Sequence, residues 1–291
     1  MHYVILFFLL CAALYLFFFL RPAKRPSDTD PSLSAHYAHR GYHNAELPEN
    51  SPAAFRNAVD HGYGIELDLQ LSADGEVMVF HDYTLDRMTG ETGKLADRTA
   101  AELAALRLLT RDGVRTEEHI PTLEEVLAIV DGKVPLLIEL KGENFDTSLC
   151  PAADRILQSY RGAYCVESFN PLLIGWYKTN RPDVYRGLLY TDVFREKSKS
   201  FLNLLLSCMM LNFLARPHFI AYDGRYPNKL PVVLTTKLFG ADHFIWTVRA
   251  EEERGKAGEH MIFENITAQM LKASDHRLYF YSNSSREDKD S

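Results

Sequence analysis

The sequence predicts a (β/α)8 barrel, the TIM-barrel architecture, with a β-hairpin extension after its second strand and one apolar helix ahead of it. Three observations carry this. Short β-rich runs alternate with longer helix-compatible stretches, the pattern of parallel strands joined by helical crossovers. Eight such runs fall within about 240 residues, close to the ~250 typical of a closed eight-stranded barrel. One further run follows its predecessor so closely that it has to be antiparallel to it.

Taken in order, the barrel strands are predicted at residues 37–39, 65–71, 136–141, 164–169, 186–190, 219–222, 244–248 and 261–264. Helix starts are marked by Thr99 with Glu102 and by Thr122 with Glu125, both at capping-box spacing. Asn50-Ser51-Pro52 opens another helix, with proline in its first turn. The extra strand, residues 77–80, follows Asp74-Gly75, a strong hairpin signal. A two-residue turn there sets Asp68 directly opposite His81, so the returning strand brings a histidine to the level of the strand carboxylates.

The chain divides at residues 21, 34 and 275. Residues 1–21 hold an unbroken apolar run from Tyr3 to Leu20, at the lower edge of the roughly 17–25 residues that span a bilayer. A basic start and a small-residue cleavage site are both missing, which favours an uncleaved single-pass anchor over a signal peptide. Arg21, Lys24 and Arg25 flank only its C-terminal side, so the positive-inside rule places the following domain in the cytoplasm. Residues 22–34 read as a polar, proline-containing linker, residues 35–275 as the barrel and residues 276–291 as a polar tail. A net charge of −7 argues against a nucleic-acid partner. Four cysteines in a chain this long do not make a disulfide framework, and buried thiols are expected at Cys150, Cys165 and Cys208.

Five fragments carry the chemistry: His39-Arg40-Gly41, Pro48-Glu49-Asn50, Glu66-Leu67-Asp68, His81-Asp82 and Glu139-Leu140-Lys141. Glu66 and Asp68 are two apart on a strand and so share a face. Buried together they would resist ionisation unless a cation compensated them. With Glu139 they form an all-oxygen set suited to Mg²⁺ or Ca²⁺ rather than zinc. Imidazole titrates near neutrality, so His39 and His81 can serve as acid and base. Arg40 offers a planar fork and Lys141 a point charge for phosphate oxygens. Glu49 reads equally as part of a helix cap or as a support or extra ligand of the site. Tyr222 and Trp246, near strand ends, read equally as core or as a wall for the alcohol group. The other histidines, His36, His43, His61, His119, His218, His243 and His260, are read as structural or exposed.

In order and wording these fragments resemble the glycerophosphodiester phosphodiesterase family. Its pattern runs His-Arg-Gly, Pro-Glu-Asn-Thr, Glu-x-Asp, His-Asp and Glu-x-Lys, and linking phrases such as Ser168-Phe169 and Trp246-Thr247-Val248 are similar too. The resemblance covers roughly residues 35–270 and is densest in the first half. It implies catalytic roles for His39 and His81, metal ligation by Glu66, Asp68 and Glu139, and hydrolysis of a glycerophosphodiester to glycerol phosphate and an alcohol. Ser51 replaces the family's threonine, Arg249 stands where Asn is usual, and the last strand lacks the family's Gly-x-Asp-Gly wording.

These late departures, with the apolar run from Phe201 to Ala215, bear on the substrate. Those 15 residues are too few to span a bilayer, and read either as a buried barrel helix or as a segment dipping into lipid beside the anchor. The second reading makes a lipid phosphodiester, cleaved in the manner of a lysophospholipase D or phospholipase C, the alternative substrate. A non-catalytic barrel that binds phospho-headgroups would show a lost histidine or carboxylate, and the set is complete.

Overall fold

The structure, a computed structural model, describes residues 1–142, 144–249 and 260–266. Among the described residues nine strands form its sheet: β1 (Tyr37–Ala38), β2 (Gly64–Leu71), β3 (Val77–Val79), β4 (Leu136–Leu140), β5 (Tyr164–Ser168), β6 (Arg186–Tyr190), β7 (Phe219–Asp223), β8 (Asp242–Val248) and β9 (His260–Phe263). Their order is β1-β9-β8-β7-β6-β5-β4-β2-β3, and an added β1–β2 pairing closes eight parallel strands into a barrel. β2 manages three partners because it overshoots. Gly64 and Ile65 pair with β1, while Leu69 to Leu71 pair with β3 beyond the rim. The last part of the expected barrel and the whole expected tail lie outside the described residues.

Strand parity sorts the side chains. Tyr37, Leu137, Cys165, Phe219, Ala221, Phe244 and Ile262 form one buried cluster, the barrel's filled interior. Alternate residues on the same strands, such as Ile65, Leu67, Ile138, Val166 and Ile220, join the larger cluster under the helices. The interior is tight enough to select glycine at position 187. A Cβ there would meet the Phe219 ring at 2.0 Å.

Local signals act as predicted at three helix starts. Thr99 and Glu102 complete a capping box, Thr122 accepts from the Glu125 amide, and Ser51 caps Pro52–His61. The hairpin needs a correction. Leu69 pairs with Val79 and Leu71 with Val77, so Asp68 lies opposite Phe80, not His81. The turn is a three-residue loop: Ser72 and Glu76 bond across it, and Gly75 takes the left-handed φ of +85° that closes it. One extra loop residue shifts the register by one.

The segment 22–34 is not a free tether. Arg25 bonds Asp242 at 3.0 Å and lies over the Tyr185 ring, Ala23 donates to the Pro217 carbonyl, and Leu33 is buried beneath Tyr37. All these partners sit at the N-terminal ends of strands, so the segment caps the end of the barrel opposite the mouth. Cys150 and Cys165 are buried thiols as expected, and Cys208 is half-buried.

Candidate active site

The site is built first by register. Asp68 on β2 is level with Glu139 on β4, and Glu139 is level with Glu167 on β5. Glu66 lies one inward-facing position below Asp68. Ligand oxygens of Glu66, Asp68 and Glu139 all come within 4.8 Å of one another, and all three side chains are buried. Lys141 follows Glu139 on the same face, and its Nζ lies 2.8 Å from both Asp68 Oδ1 and Glu139 Oε2.

Packed carboxylates distort each other's titration. Burial, with Asp68 and Glu139 close by, drives Glu66 well above the ordinary carboxylate range. Burial also acts on Asp68, but Lys141, His81 and Arg40 overcome it and hold that group well below its usual value. Burial raises Glu139 despite Lys141. The Lys141 ammonium is itself held charged by the two carboxylates against its burial. The group therefore has more negative charge than its cations neutralise, and an all-oxygen donor set at this spacing fits a divalent cation.

Loop residues after β1 close over this cluster. Arg40 has a left-handed φ of +55°, which aims its amide at Glu66 Oε2, 2.8 Å away. Gly41 follows at φ +80°, and a Cβ there would press on Ala54 and Phe55 at 3.0–3.1 Å. Asn50, also at positive φ, donates from Nδ2 to Asp68 Oδ2 at 2.8 Å. The Arg40 guanidinium bonds Glu49 Oε1 at 2.7 Å, and its Nε stands 3.6 Å from Asp68.

Glu49 is neither the helix cap, which is Ser51, nor a member of the carboxylate cluster. Arg40 donates one bond to it and Arg87 two more, at 2.7 and 2.9 Å. Those cations overcome burial and hold Glu49 down at about 2. Arg87 also grips Asp82, whose Oδ1 lies 2.6 Å from His81 Nδ1. A continuous chain thus runs His81–Asp82–Arg87–Glu49–Arg40. His81 lies past the last ladder pair, next to Phe80, whose amide donates to the Asp68 carbonyl.

On the other side, His39 Nδ1 stands 3.6 Å from Glu264 Oε2. Burial and the Arg40 charge pull His39 down to about 4, against the opposing pull of Glu264 and Asp68. Glu264 is held at about 2, chiefly by His39 with Arg249 and His43 adding to it. Arg249 Nε donates to Glu264 at 3.1 Å, and His43 Nε2 lies 3.9 Å from the same carboxylate.

The predicted set therefore converges, with some revisions. Trp246 packs against the barrel interior, donates to the Ala221 carbonyl and meets Phe169 edge-on at 5.6 Å, beside the mouth. Tyr222 does not join it. That residue is buried in the layer beneath the helices and stacks on His243. His43, read as structural, sits at the site's edge. Sequence reasoning missed Arg87, Glu264 and Glu167. Glu167 is 1% exposed, its Oε2 has no hydrogen-bond partner, and burial beside Glu66 and Glu139 pushes it well above the carboxylate range. Its signal was available, since Glu167 shares inward parity with Cys165 and Phe169.

A barrel whose mouth holds buried carboxylates, a bridging lysine, an arginine fork and two histidines is the frame of a phosphoester hydrolase. The model of the glycerophosphoryl diester phosphodiesterase family matches residues 39–273. Glycerophosphodiester phosphodiesterase 1 from Bos taurus is 30% identical over 270 residues, covering 81% of this chain and 78% of that protein. A glycerophosphodiester phosphodiesterase structure from Thermotoga maritima superposes with a TM-score of 0.62 at 26% identity, covering 82% of this chain and 97% of that one. An Oleispira antarctica phosphodiesterase, solved with the product sn-glycerol-3-phosphate, shares the fold at TM-score 0.66 and 22% identity, covering 82% and 96%. The chain belongs to the glycerophosphoryl diester phosphodiesterase family and is a phosphoric diester hydrolase.

Proposed function

We propose that the protein hydrolyses glycerophosphodiesters to glycerol 3-phosphate and a free alcohol. One divalent cation, Mg²⁺ or Ca²⁺, is held by Glu66, Asp68 and Glu139, and His39 and His81 move the protons. The observation that supports this best is the convergence on Asp68: its carboxylate packs with those of Glu66 and Glu139, their ligand oxygens within 4.8 Å of one another, and it is met by Lys141 and Asn50 at 2.8 Å each.

When bound, the cation supplies Lewis-acid polarisation of a phosphoryl oxygen. The chain's own residues do the rest. Arg40, fixed by Glu49, and Lys141, fixed between two carboxylates, set positive charge where phosphate oxygens enter. His39, pulled down to about 4, is neutral at pH 7 and is the ring able to accept the proton of the attacking hydroxyl. His81 is oriented by Asp82 through Nδ1, which leaves Nε2 to give a proton to the leaving alcohol. Asp82 in turn is fixed by Arg87, so the proton donor and the phosphate fork belong to one hydrogen-bonded chain.

The test is release of glycerol 3-phosphate from glycerophosphocholine by the full-length protein in detergent, with Mg²⁺, with Ca²⁺ and with EDTA, beside His39→Ala. Turnover that requires the metal and falls with the substitution supports the reading. Turnover unchanged by EDTA sinks the metal role, and unchanged by His39→Ala sinks the histidine's.

A lipid phosphodiester substrate is the second reading, favoured by one specific observation. Among the described residues, one helix is long and apolar enough to cross a membrane, His2–Leu20, and it packs on residues 201–215. We read this helix as a membrane anchor, with the barrel on the cytoplasmic side. Activity on lysophospholipid vesicles without activity on glycerophosphocholine would favour this substrate class.

A further inference from the structure

We propose that the barrel mouth itself faces the lipid surface, because the N-terminal helix leaves the molecule on the mouth side. This rests on the membrane reading above and adds an orientation to it. The contacts along the helix set its direction. At its C-terminal end, the Leu20 and Arg21 carbonyls accept from Asn212 and Arg216, just before β7 begins. Ala23 and Arg25 continue to the Pro217 carbonyl and to Asp242, the first residue of β8. These are partners at the closed end of the barrel. Phe18 stacks on Phe213 at 5.2 Å. Further back along the chain, the Tyr15 hydroxyl donates to the Cys208 carbonyl. Cys208 adjoins Ser207, whose carbonyl accepts from Tyr190 at the mouth end of β6. The helix thus climbs the barrel wall from the closed end towards the mouth as the chain runs back from Leu20 to Tyr15.

Its remaining turns continue past that level. His2–Ala13 has no buried residue, and helical backbone angles carry it without a break into Leu14–Leu20. Twelve residues at ~1.5 Å each give about 18 Å of free apolar helix. That reaches through one leaflet of a ~30 Å hydrocarbon core but not across both, so these turns are covered by lipid only if the mouth lies at the headgroups, and the helix then anchors the protein in one leaflet without crossing the bilayer.

The rim is furnished to match. Phe145, Phe169, Phe201 and Leu230, at 90, 39, 75 and 64% exposure, follow the mouth ends of β4, β5, β6 and β7 in turn. Leu202 and Leu204 extend the patch along helix Phe201–Ser207, against which Tyr15 docks. Immediately before that helix come Arg195, Lys197 and Lys199, all exposed. Bulky apolar residues beside a short basic run suit the surface of an anionic bilayer, with the rings among the acyl boundaries and the cations at phosphate level. The opposite end of the barrel, capped by residues 22–34, presents Ser27 and charges of both signs, Lys24, Asp28 and Asp30. A lipid headgroup at the surface would then lie directly below the phosphate site.

The experiment uses the full-length protein with Cys11→Ser and Cys208→Ala, labelled with a fluorophore at Phe201→Cys, Leu230→Cys or Ser27→Cys. Each is bound to phosphatidylcholine/phosphatidylglycerol vesicles carrying a lipid spin-label quencher near the headgroup. Loss of emission at 201 and 230 with none at 27 is expected. Quenching at 27 but not at the rim, in protein that floats with the vesicles, overturns the orientation and leaves the anchor intact. Failure to float overturns the anchor reading and the orientation with it. Rim labels that become shielded from aqueous iodide as protein concentration rises, without lipid, show a second copy as the occupant and overturn the proposal. Lys197→Gln with Lys199→Gln is expected to lower rim quenching on anionic vesicles while hydrolysis of soluble substrate in detergent is unchanged. Equal quenching in that variant removes the basic run from the docking surface and overturns that part of the proposal.

Discussion

The β2–β5 side of the mouth and the β8–β9 side hold their charged groups by different means. On the first, Glu66, Asp68, Glu139 and Glu167 stand on strands, buried and fixed by register, and Lys141 follows directly after the last residue of β4. On the second, Glu264 and Arg249 lie just past strand ends and meet His39 from a neighbouring strand end. The Arg249 side chain is 56% exposed, whereas that of Lys141 is 8% exposed. The same ion-pair chemistry is therefore rigid and costly to break on one side, and solvated and adjustable on the other. The side proposed to handle phosphate is the one the barrel makes rigid.

The comparison breaks most readily at Asp68. Asp68→Ala deprives Lys141 and Asn50 of an acceptor and Arg40 of an ion-pair partner at once. Activity is expected to fall to background, with unfolding free energy lower by about 3–5 kcal/mol, the usual cost of orphaning a buried charge partner. Unchanged urea midpoints would show that the cluster is not the rigid unit described.

His39→Ala comes next, with kcat expected to fall by about 10²–10⁴-fold and the fold retained. Circular dichroism and steady-state kinetics on one preparation separate the two effects. A loss smaller than tenfold would remove His39 from the proton transfer.

Glu264→Gln sharpens the contrast through pH. Glu264 supports protonation of His39, so its loss is expected to move the acid limb of kcat/KM, set near pH 4 by His39, to lower pH. A limb that stays in place would disconnect the two. The same depressed histidine has a stability signature. Its folded value of about 4 lies below the ordinary 6.5, so the unfolded chain binds the proton first. Its contribution is intact above about pH 6.5 and is lost as pH falls towards about 4. Thermal unfolding across that window, in wild type and His39→Ala, measures it.

The smallest effect is expected at Arg249→Asn, which installs the residue usual in the family. An ion pair this exposed contributes about 0–1 kcal/mol, so stability and kcat on soluble substrate should change little. A large loss of kcat would mean that Arg249 acts on substrate rather than on Glu264.

Much of this was legible without coordinates. Each predicted barrel run overlaps an observed strand, because inward and outward positions are both apolar until the mouth and the runs end at turn residues. Glu66, Asp68, Glu139 and Lys141 could be grouped because i and i+2 on a strand share a face whatever surrounds them. The hairpin register was less secure, since a two-residue and a three-residue turn are both compatible with Asp74-Gly75, and only Ser72 bonding to Glu76 selects the longer. Tyr222, read equally as core or as a wall, takes the core position, because on β7 it alternates with the inward-facing Phe219 and Ala221.

What the sequence determined by itself is local: strand and helix periods, caps, the paired carboxylates and the ordered motif set that marks the family. What the tertiary structure decided is every relation between distant segments. Arg87 reaches Glu49 across 38 positions and Glu264 reaches His39 from the far end of the barrel. Segment 22–34 caps the closed end, and the N-terminal helix points past the mouth. No spacing rule encodes these contacts, because they exist only once closing the barrel brings β9 beside β1.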